Sequence, residues 1–400
     1  MKRRTFLHAA MAMPMLGAAA AANDDLKSHR IVNITGFVHQ CPRPKFVGKN
    51  ARLDDHGDHT SDRVLRLTTN QGVVGFGSGH LNEGDARKIL GQRVDQLWTD
   101  GVGSTGALGR ADHALFDLVA KIRGVPAWKL IGTDGAEWTD IYDGSIYFSD
   151  LMPAYQSDGV GRLVRELEEG IERGFRAFKI KVGRGHKWMP KPEGFARDVA
   201  VVRALRKAAG PEIRLMVDAN NGFTLDETLK WLDEVGDTNL YFVEEMFPED
   251  VEQDRALKHH IREKGWKTLV ADGESAGEIE HFEPFLRAKV LDVLQPDIRA
   301  LGLSKQLAMS KRMSALDPDA RLAPHNWGSY LGQFMQLVLA RGIGNFSMAE
   351  VDTSASDLFD DSAFTRKDGK VRAPDIPGCG LAMREDVFLK KYRSDAWSVD

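Results

Sequence analysis

The sequence predicts an α/β protein, a barrel of alternating strands and helices preceded by a small α+β domain, and three observations carry that expectation. Seven short apolar runs, FKIK, LMVD, YFVEE, LVADGE, VLQPD, LAPHN and SMAE, each end at or beside a polar residue: Lys181, Asp218, Glu244, Glu274, Asp297, His325 and Glu350. The gaps between these residues are 37, 26, 30, 23, 28 and 25, close to one strand, one helix and two loops. A (β/α)8 barrel delivers the carboxyl ends of its strands to one mouth, so polar residues spaced in this way meet at one site. The composition agrees: 400 residues, 42% hydrophobic and 28% charged, hold a barrel of about 250 residues and a second domain.

The first 22 residues read as an export segment and are set apart from the fold. Lys2, Arg3 and Arg4 form a basic start, residues 7–16 are mostly apolar, and residues 18–22 offer an A-x-A cleavage site. Arg3-Arg4-Thr5-Phe6-Leu7 has the form of a twin-arginine signal, which sends folded proteins across a bacterial inner membrane, so a periplasmic or secreted protein is expected. Removing it leaves 51 basic against 58 acidic side chains, a net charge of −7. Basic residues form no stripe, which argues against nucleic-acid binding. No later run reaches about 18 uncharged apolar residues, so no membrane span is expected. Cys41 and Cys379 are the only cysteines, and an oxidising compartment would allow them to pair.

The segments IVNITGFVHQ, RVLRLTTN and VVGFGSG read as strands, with a turn at Asn70-Gln71-Gly72. Between the first two, residues 42–61 are polar and turn-rich, contain His56 and His59, and read as a mobile loop. Helices are expected over 84–98 and 106–123, the second stopped by Gly124 and Pro126. From about residue 140 strand, loop and helix repeat. Helix 160–173 aligns Val160, Leu163, Val164, Leu167 and Ile171 on one face, and helix 224–235 opens with a Thr224–Glu227 capping box. Further helices are expected near 194–209, 251–264, 277–288, 302–316 and 328–341. The last 40 residues suit neither strand nor long helix and are expected to run back over the first domain. The boundaries are therefore 1–22, 23–135, 136–355 and 356–400.

Asp218, Glu244 and Glu274 close three successive strands, and three carboxylates at one mouth repel one another unless a divalent cation neutralises them. Hard oxygen ligands select Mg²⁺ or Mn²⁺. One such carboxylate alone would be a loop residue or a helix cap; three in register are a candidate metal site. Glu245 competes with Glu244, since strand neighbours face opposite ways and only one of them should line the mouth. Lys179 and Lys181 share a strand face, where mutual repulsion is expected to lower one pKa toward that of a usable base. Asp297 beside His325 would fix the imidazole tautomer and raise its basicity. Glu350, held protonated, could donate to a developing oxyanion.

Lys179-Ile-Lys181, Val217-Asp218-Ala219-Asn220, Glu244-Glu245, Gly273-Glu274, Gln295-Pro296-Asp297, Pro324-His325-Asn326 and Glu350 resemble, in order, the enolase superfamily and its mandelate racemase-like subgroup. The resemblance implies a modified TIM barrel of (β/α)7β type, with an N-terminal α+β capping domain completed by the C-terminal segment. It assigns Asp218, Glu244 and Glu274 to Mg²⁺, Lys181 to one base with Lys179 as its electrostatic neighbour, His325 with Asp297 to the opposing acid/base, and Glu350 to enolate stabilisation. Met246 stands where the family often has proline, and Cys379 replaces its leucine.

The implied chemistry is Mg²⁺-dependent abstraction of a proton α to a carboxylate through an enediolate. Dehydration of an acid sugar to a 2-keto-3-deoxy acid is the first expectation, and racemisation or epimerisation of a 2-hydroxy acid the alternative. A non-catalytic periplasmic sugar-acid binder would need a lost base, and none is missing. The resemblance also implies a homo-oligomer, and substrate choice in residues 42–61 and 79–85. Replacing Arg3 and Arg4 by lysine is expected to leave active precursor in the cytoplasm, as read by cell fractionation and immunoblotting.

Overall fold

A computed structural model of the chain describes residues 25–275 and 277–400; the predicted export segment, residues 1–22, lies outside them. The cap is a four-stranded antiparallel sheet in the order Trp397–Val399, Ile31–Val47, Gly57–Thr69, Val74–Ser78. Helix His113–Ile122 lies close against Val74–Ser78 because Gly75 has no side chain: a Cβ there would sit 2.5 Å from the Ala114 carbonyl. Two side chains of that helix bond the strand, Asp117 accepting from Phe76 N at 3.0 Å and His113 Nδ1 from Ser78 N at 3.1 Å.

The segment predicted as a loop, residues 42–61, is largely strand, with Pro42 opposite His59. Alternation continues through it, but the buried positions include Arg43 and Lys45 while Pro42, Pro44 and Phe46 face out. Apolar patterning could not show this, because buried ion pairs replace apolar contacts. Arg43 forks onto Asp352 (2.9 and 2.6 Å) and holds the carbonyls of His56 and His59, both at 2.9 Å. Lys45 meets Glu166 at 2.5 Å. The helix expected over 84–98 is two, Glu83–Ile89 and Val94–Leu97, separated at Gly91, whose φ of +79° ends the first. Cys41 and Cys379 are each buried and free, and form no disulfide.

Eight parallel strands follow: Thr139–Ile146, Ala177–Lys181, Arg214–Asp218, Phe242–Glu244, Leu269–Asp272, Val293–Leu294, Arg321–Leu322 and Met348–Val351. The eighth pairs with the first, and bonds from Leu322 N to Asn345 O and from Ser347 N to Leu322 O, both 2.8 Å, close the ring. Helices Val160–Glu172, Lys191–Ala209, Leu225–Val235, Val251–Glu263, Glu283–Ala288, Ile298–Leu316 and Tyr330–Gly342 make the seven crossovers. The expected capping box forms, Thr224 and Glu227 each accepting the other's backbone N–H. The sixth helix breaks at Gly302 (φ +75°), and the cap's Asp112 accepts from Leu303 N at 2.9 Å and Ser304 N at 2.8 Å, capping its second part across the domain boundary. No barrel helix follows the eighth strand among the described residues; the helix that comes later is the short Glu385–Lys391. The chain instead pairs Lys370–Arg372 with the foot of the first barrel strand and ends in the cap sheet, Val399 opposite Ile34. This is the (β/α)7β barrel with its cap. No helix among the described residues is long and apolar enough to cross a membrane.

Asp352→Ala strands the buried Arg43 guanidinium. It is expected to destabilise the protein by about 3–5 kcal/mol in denaturant titration, and Arg43→Met/Asp352→Leu to recover much of the loss.

Candidate active site

Each barrel strand or its end places one side chain in a buried apolar layer: Tyr142, Ala177, Met216, Phe242, Ala271, Val293, Ala323 and Met348. Side chains two residues on share the same face of a strand. Counting two onward gives Gly144, Lys179, Asp218, Glu244, Gly273, Gln295, His325 and Glu350, so the polar layer rests directly on the apolar plug. The two glycines make room. A Cβ on Gly144 would lie 2.6 Å from Glu350 Oε1. Gly273, at φ +128°, turns the chain so that Glu274 joins the mouth.

Asp218, Glu244 and Glu274 each offer one oxygen within 4.8 Å of the others. Lys179 Nζ lies 2.9 Å from both Glu244 Oε1 and Glu350 Oε1, and 3.5 Å from Asp218 Oδ2. Lys181 donates to Asp218 and lies 5.2 Å from the centroid of the Tyr147 ring. Burial disfavours charge on both lysines. Glu244 and Glu350 around Lys179, and Asp218 beside Lys181, outweigh it and hold both above the ordinary lysine range. The expectation of a lowered lysine pKa is thereby corrected: the pair's repulsion is smaller than the attraction of the carboxylates it faces. Burial, then Asp218, drives Glu244 above the carboxylate range, and burial, then Glu274, does the same for Glu245.

Across the mouth, three strands away round the ring, His325 Nδ1 lies 2.9 Å from Asp297 Oδ2. Asp297 Oδ1 caps the sixth helix, accepting from Arg299 N (2.9 Å) and Ala300 N (2.7 Å). The carboxylate thus orients the imidazole and leaves Nε2 facing inward, 3.3 Å from Glu274 Oε2 and 4.0 Å from Glu350 Oε2. Burial lowers the His325 pKa, but Glu274, Asp297 and Glu350 together carry it to about 9. Glu350 accepts from Asn326 N at 2.7 Å and faces Lys179. Burial opposes its charge and Lys179 restores it, so it stands below the ordinary glutamate range. Were Glu350 protonated it could donate; the ion pair with Lys179 instead favours its charged form.

All eight predicted residues therefore meet at one mouth. Three neighbours were not singled out. Gln295 Nε2 donates to Glu244 Oε2 at 2.9 Å, and Asn220 Nδ2 lies 3.2 Å from Glu245 Oε2 and 3.4 Å from Glu274 Oε1. Gln336 fixes the Glu350 backbone from both sides, at 2.9 Å each. The two-residue step from Val293 would have found Gln295. Of the Glu244–Glu245 pair only Glu244 stands in the carboxylate triad, as expected; Glu245, at φ +43° beyond the strand end, accepts from Asn220 beside it.

The enolase C-terminal domain-like family model matches residues 162–387. Galacturonate dehydratase from Geobacillus sp., in complex with D-galacturonate and 5-keto-4-deoxy-D-galacturonate, superposes with a TM-score of 0.87 at 30% identity, covering 94% of this chain and 100% of that one. A mandelate racemase/muconate lactonizing protein from Geobacillus sp. Y412MC10, complexed with magnesium and tartrate, gives 0.87 at 30% over 93% and 97%. D-galactarolactone cycloisomerase of Agrobacterium fabrum is 30% identical over 229 residues, 56% of this chain and only 55% of that one. The chain belongs to the enolase superfamily, in its mandelate racemase-like subgroup.

Gln295→Leu removes the amide that holds Glu244 and is expected to weaken Mg²⁺ binding about 10–100-fold by calorimetry.

Proposed function

We propose that the chain dehydrates an acid sugar to a 2-keto-3-deoxy acid, beginning with removal of the proton α to its carboxylate. The observation that supports this is the two-sided arrangement: Lys179 and Lys181 on the second strand, His325 with Asp297 on the far side, and three carboxylates between them. The carboxylates suit a hard cation. Their ligand oxygens approach the spacing of an octahedral set, about 3–4 Å between ligands at 2.1 Å from Mg²⁺, and the buried Asn220 Oδ1 beside them has no hydrogen-bond partner. Asp218, Glu244 and Glu274 would hold Mg²⁺ or Mn²⁺, which when bound polarises the substrate carboxylate as a Lewis acid.

The chain's own residues do the rest. Lys181 takes the α-proton as a neutral amine, a state open to it only when Asp218 serves the cation in place of the ammonium it otherwise pairs with. Lys179, anchored between Glu244 and Glu350, directs a donor at the oxygen where charge develops. His325 Nε2 protonates the departing β-hydroxyl while Asp297 holds Nδ1, and the enol left behind tautomerises to the keto acid. Racemisation or epimerisation is the second reading, supported by the same pair of bases on opposite sides, since His325 could instead return the proton to carbon. The twin-arginine start makes a periplasmic acid the expected substrate.

The test is α-proton exchange in D2O across a panel of acid sugars, followed by NMR. EDTA should abolish exchange and Mg²⁺ restore it. Lys181→Ala should lose exchange by about 10²–10⁴-fold, whereas His325→Asn should lose product formation with exchange surviving. Wild-type turnover in both variants would refute the assignment.

A further inference from the structure

Beside Glu274 and Asp297 a cavity of about 450 Å³ opens between the barrel mouth and the cap. That is the size of a site for a small organic acid. Its lining sets three arginines, Arg63, Arg110 and Arg299, and His80 against three carboxylates, Asp62, Glu274 and Asp297. The carboxylates are engaged. Asp62 is buried and accepts from Ser329 Oγ and from Leu331 N at 2.9 Å. Asp297 serves His325 and the helix start, and Glu274 belongs to the cation triad.

Arg63 and Arg110 are not neutralised in return. Among the described residues, the side chains of Arg63, Arg110 and His80 make no hydrogen bond or ion pair. Arg299 is fixed in place, its Nη1 and Nη2 donating to the carbonyls of Gly328 (3.2 Å) and Trp327 (2.8 Å). It lies 3.9 Å from Asp297 Oδ2 and within the field of Asp62, and its buried Nε has no hydrogen-bond partner. Carboxylate and phosphate groups match guanidinium forks in geometry as well as charge. A substrate whose reacting carboxylate lies at the triad would extend its far end toward these arginines.

We propose that the substrate is doubly anionic, with a second group, a terminal carboxylate or a phosphate ester, bound by Arg63, Arg110 and Arg299. This rests on the proposed function and narrows it. It makes Arg63 and Arg110 specificity-determining residues contributed by the cap.

The test compares a six-carbon aldaric acid, an aldonic acid 6-phosphate and an aldonic acid as substrates of the Mg²⁺-loaded enzyme, with Arg63→Gln and Arg110→Gln singly and together. Both arginines are exposed, so the variants should fold, and a thermal melt checks this. One of the two dianions should be preferred over the aldonic acid in kcat/KM; which one tells carboxylate from phosphate. That preference should fall at least tenfold in the double variant, through KM, and its dependence on salt should flatten. A preference for the aldonic acid, or one that the double variant leaves unchanged, would overturn the proposal. If no acid of any charge exchanges its α-proton in wild-type enzyme, the failure lies in the proposed function and not in the anion site.

Discussion

Charge balance inside a largely buried barrel mouth is the constraint on which this structure depends. Asp218, Glu244, Glu245, Glu274, Asp297 and Glu350 bring six carboxylates, of which four are buried outright; Lys179, Lys181 and His325 can return three positive charges. Burying one unpaired carboxylate costs several kcal/mol, so an excess of three cannot persist as bare charge. Asp218, against Lys181, and Glu350, against Lys179, stand below the carboxylate range; Glu244 stands above it because burial and Asp218 outweigh its contact with Lys179, and Glu245 stands above it as well. A divalent cation at the triad would supply charge where the protein's own supply ends.

The fold meets this constraint through register. Inward-facing side chains recur every two residues along a strand, so on each strand the plug residue is followed two positions on by a position of the polar layer. Large and small residues share the plug: Tyr142 and Phe242 pack edge to face at 6.3 Å, while Ala177, Ala271 and Ala323 leave them room. The plug also seals the mouth from the far end of the barrel, which strengthens every ion pair above it.

The barrel was legible because its chemistry recurs with the repeat: each polar residue follows an apolar run whose length identifies a strand. The cap hairpin was less legible for the opposite reason. Its buried positions, Arg43 and Lys45, are charged, and their partners Asp352 and Glu166 lie far off in sequence, so nothing local marks residues 42–47 as strand. Gln295 stood inside a recognised motif yet carries no charge, and charge was the signal followed. The lysine protonation and the position of Glu245 depend on neighbours from other strands and on a left-handed turn, which no single strand's pattern contains.

The same hairpin explains how cap and barrel divide the work. Its tip is bound to the barrel: Phe148 N donates to the Lys49 carbonyl at 2.9 Å, Trp188 Nε1 to that of Asn50 at 2.6 Å, and Arg52 Nε to that of Asn220 at 2.6 Å. His56 accepts from Trp327 Nε1 at 3.0 Å, and Trp327 stacks on Tyr147 at 4.7 Å, two residues after His325 and next to Lys181. A segment tied at so many points to the residues flanking His325 and Lys181 cannot swing as a free loop without disturbing both. The C-terminal strand adds to this by covering one edge of the cap sheet, which would otherwise stand open beside Ile31–Val47. The barrel's reactive side chains are locked by register and ion pairs, so variation in substrate falls to exposed cap positions such as Arg63, where a change of side chain disturbs neither the plug nor the charge balance above it.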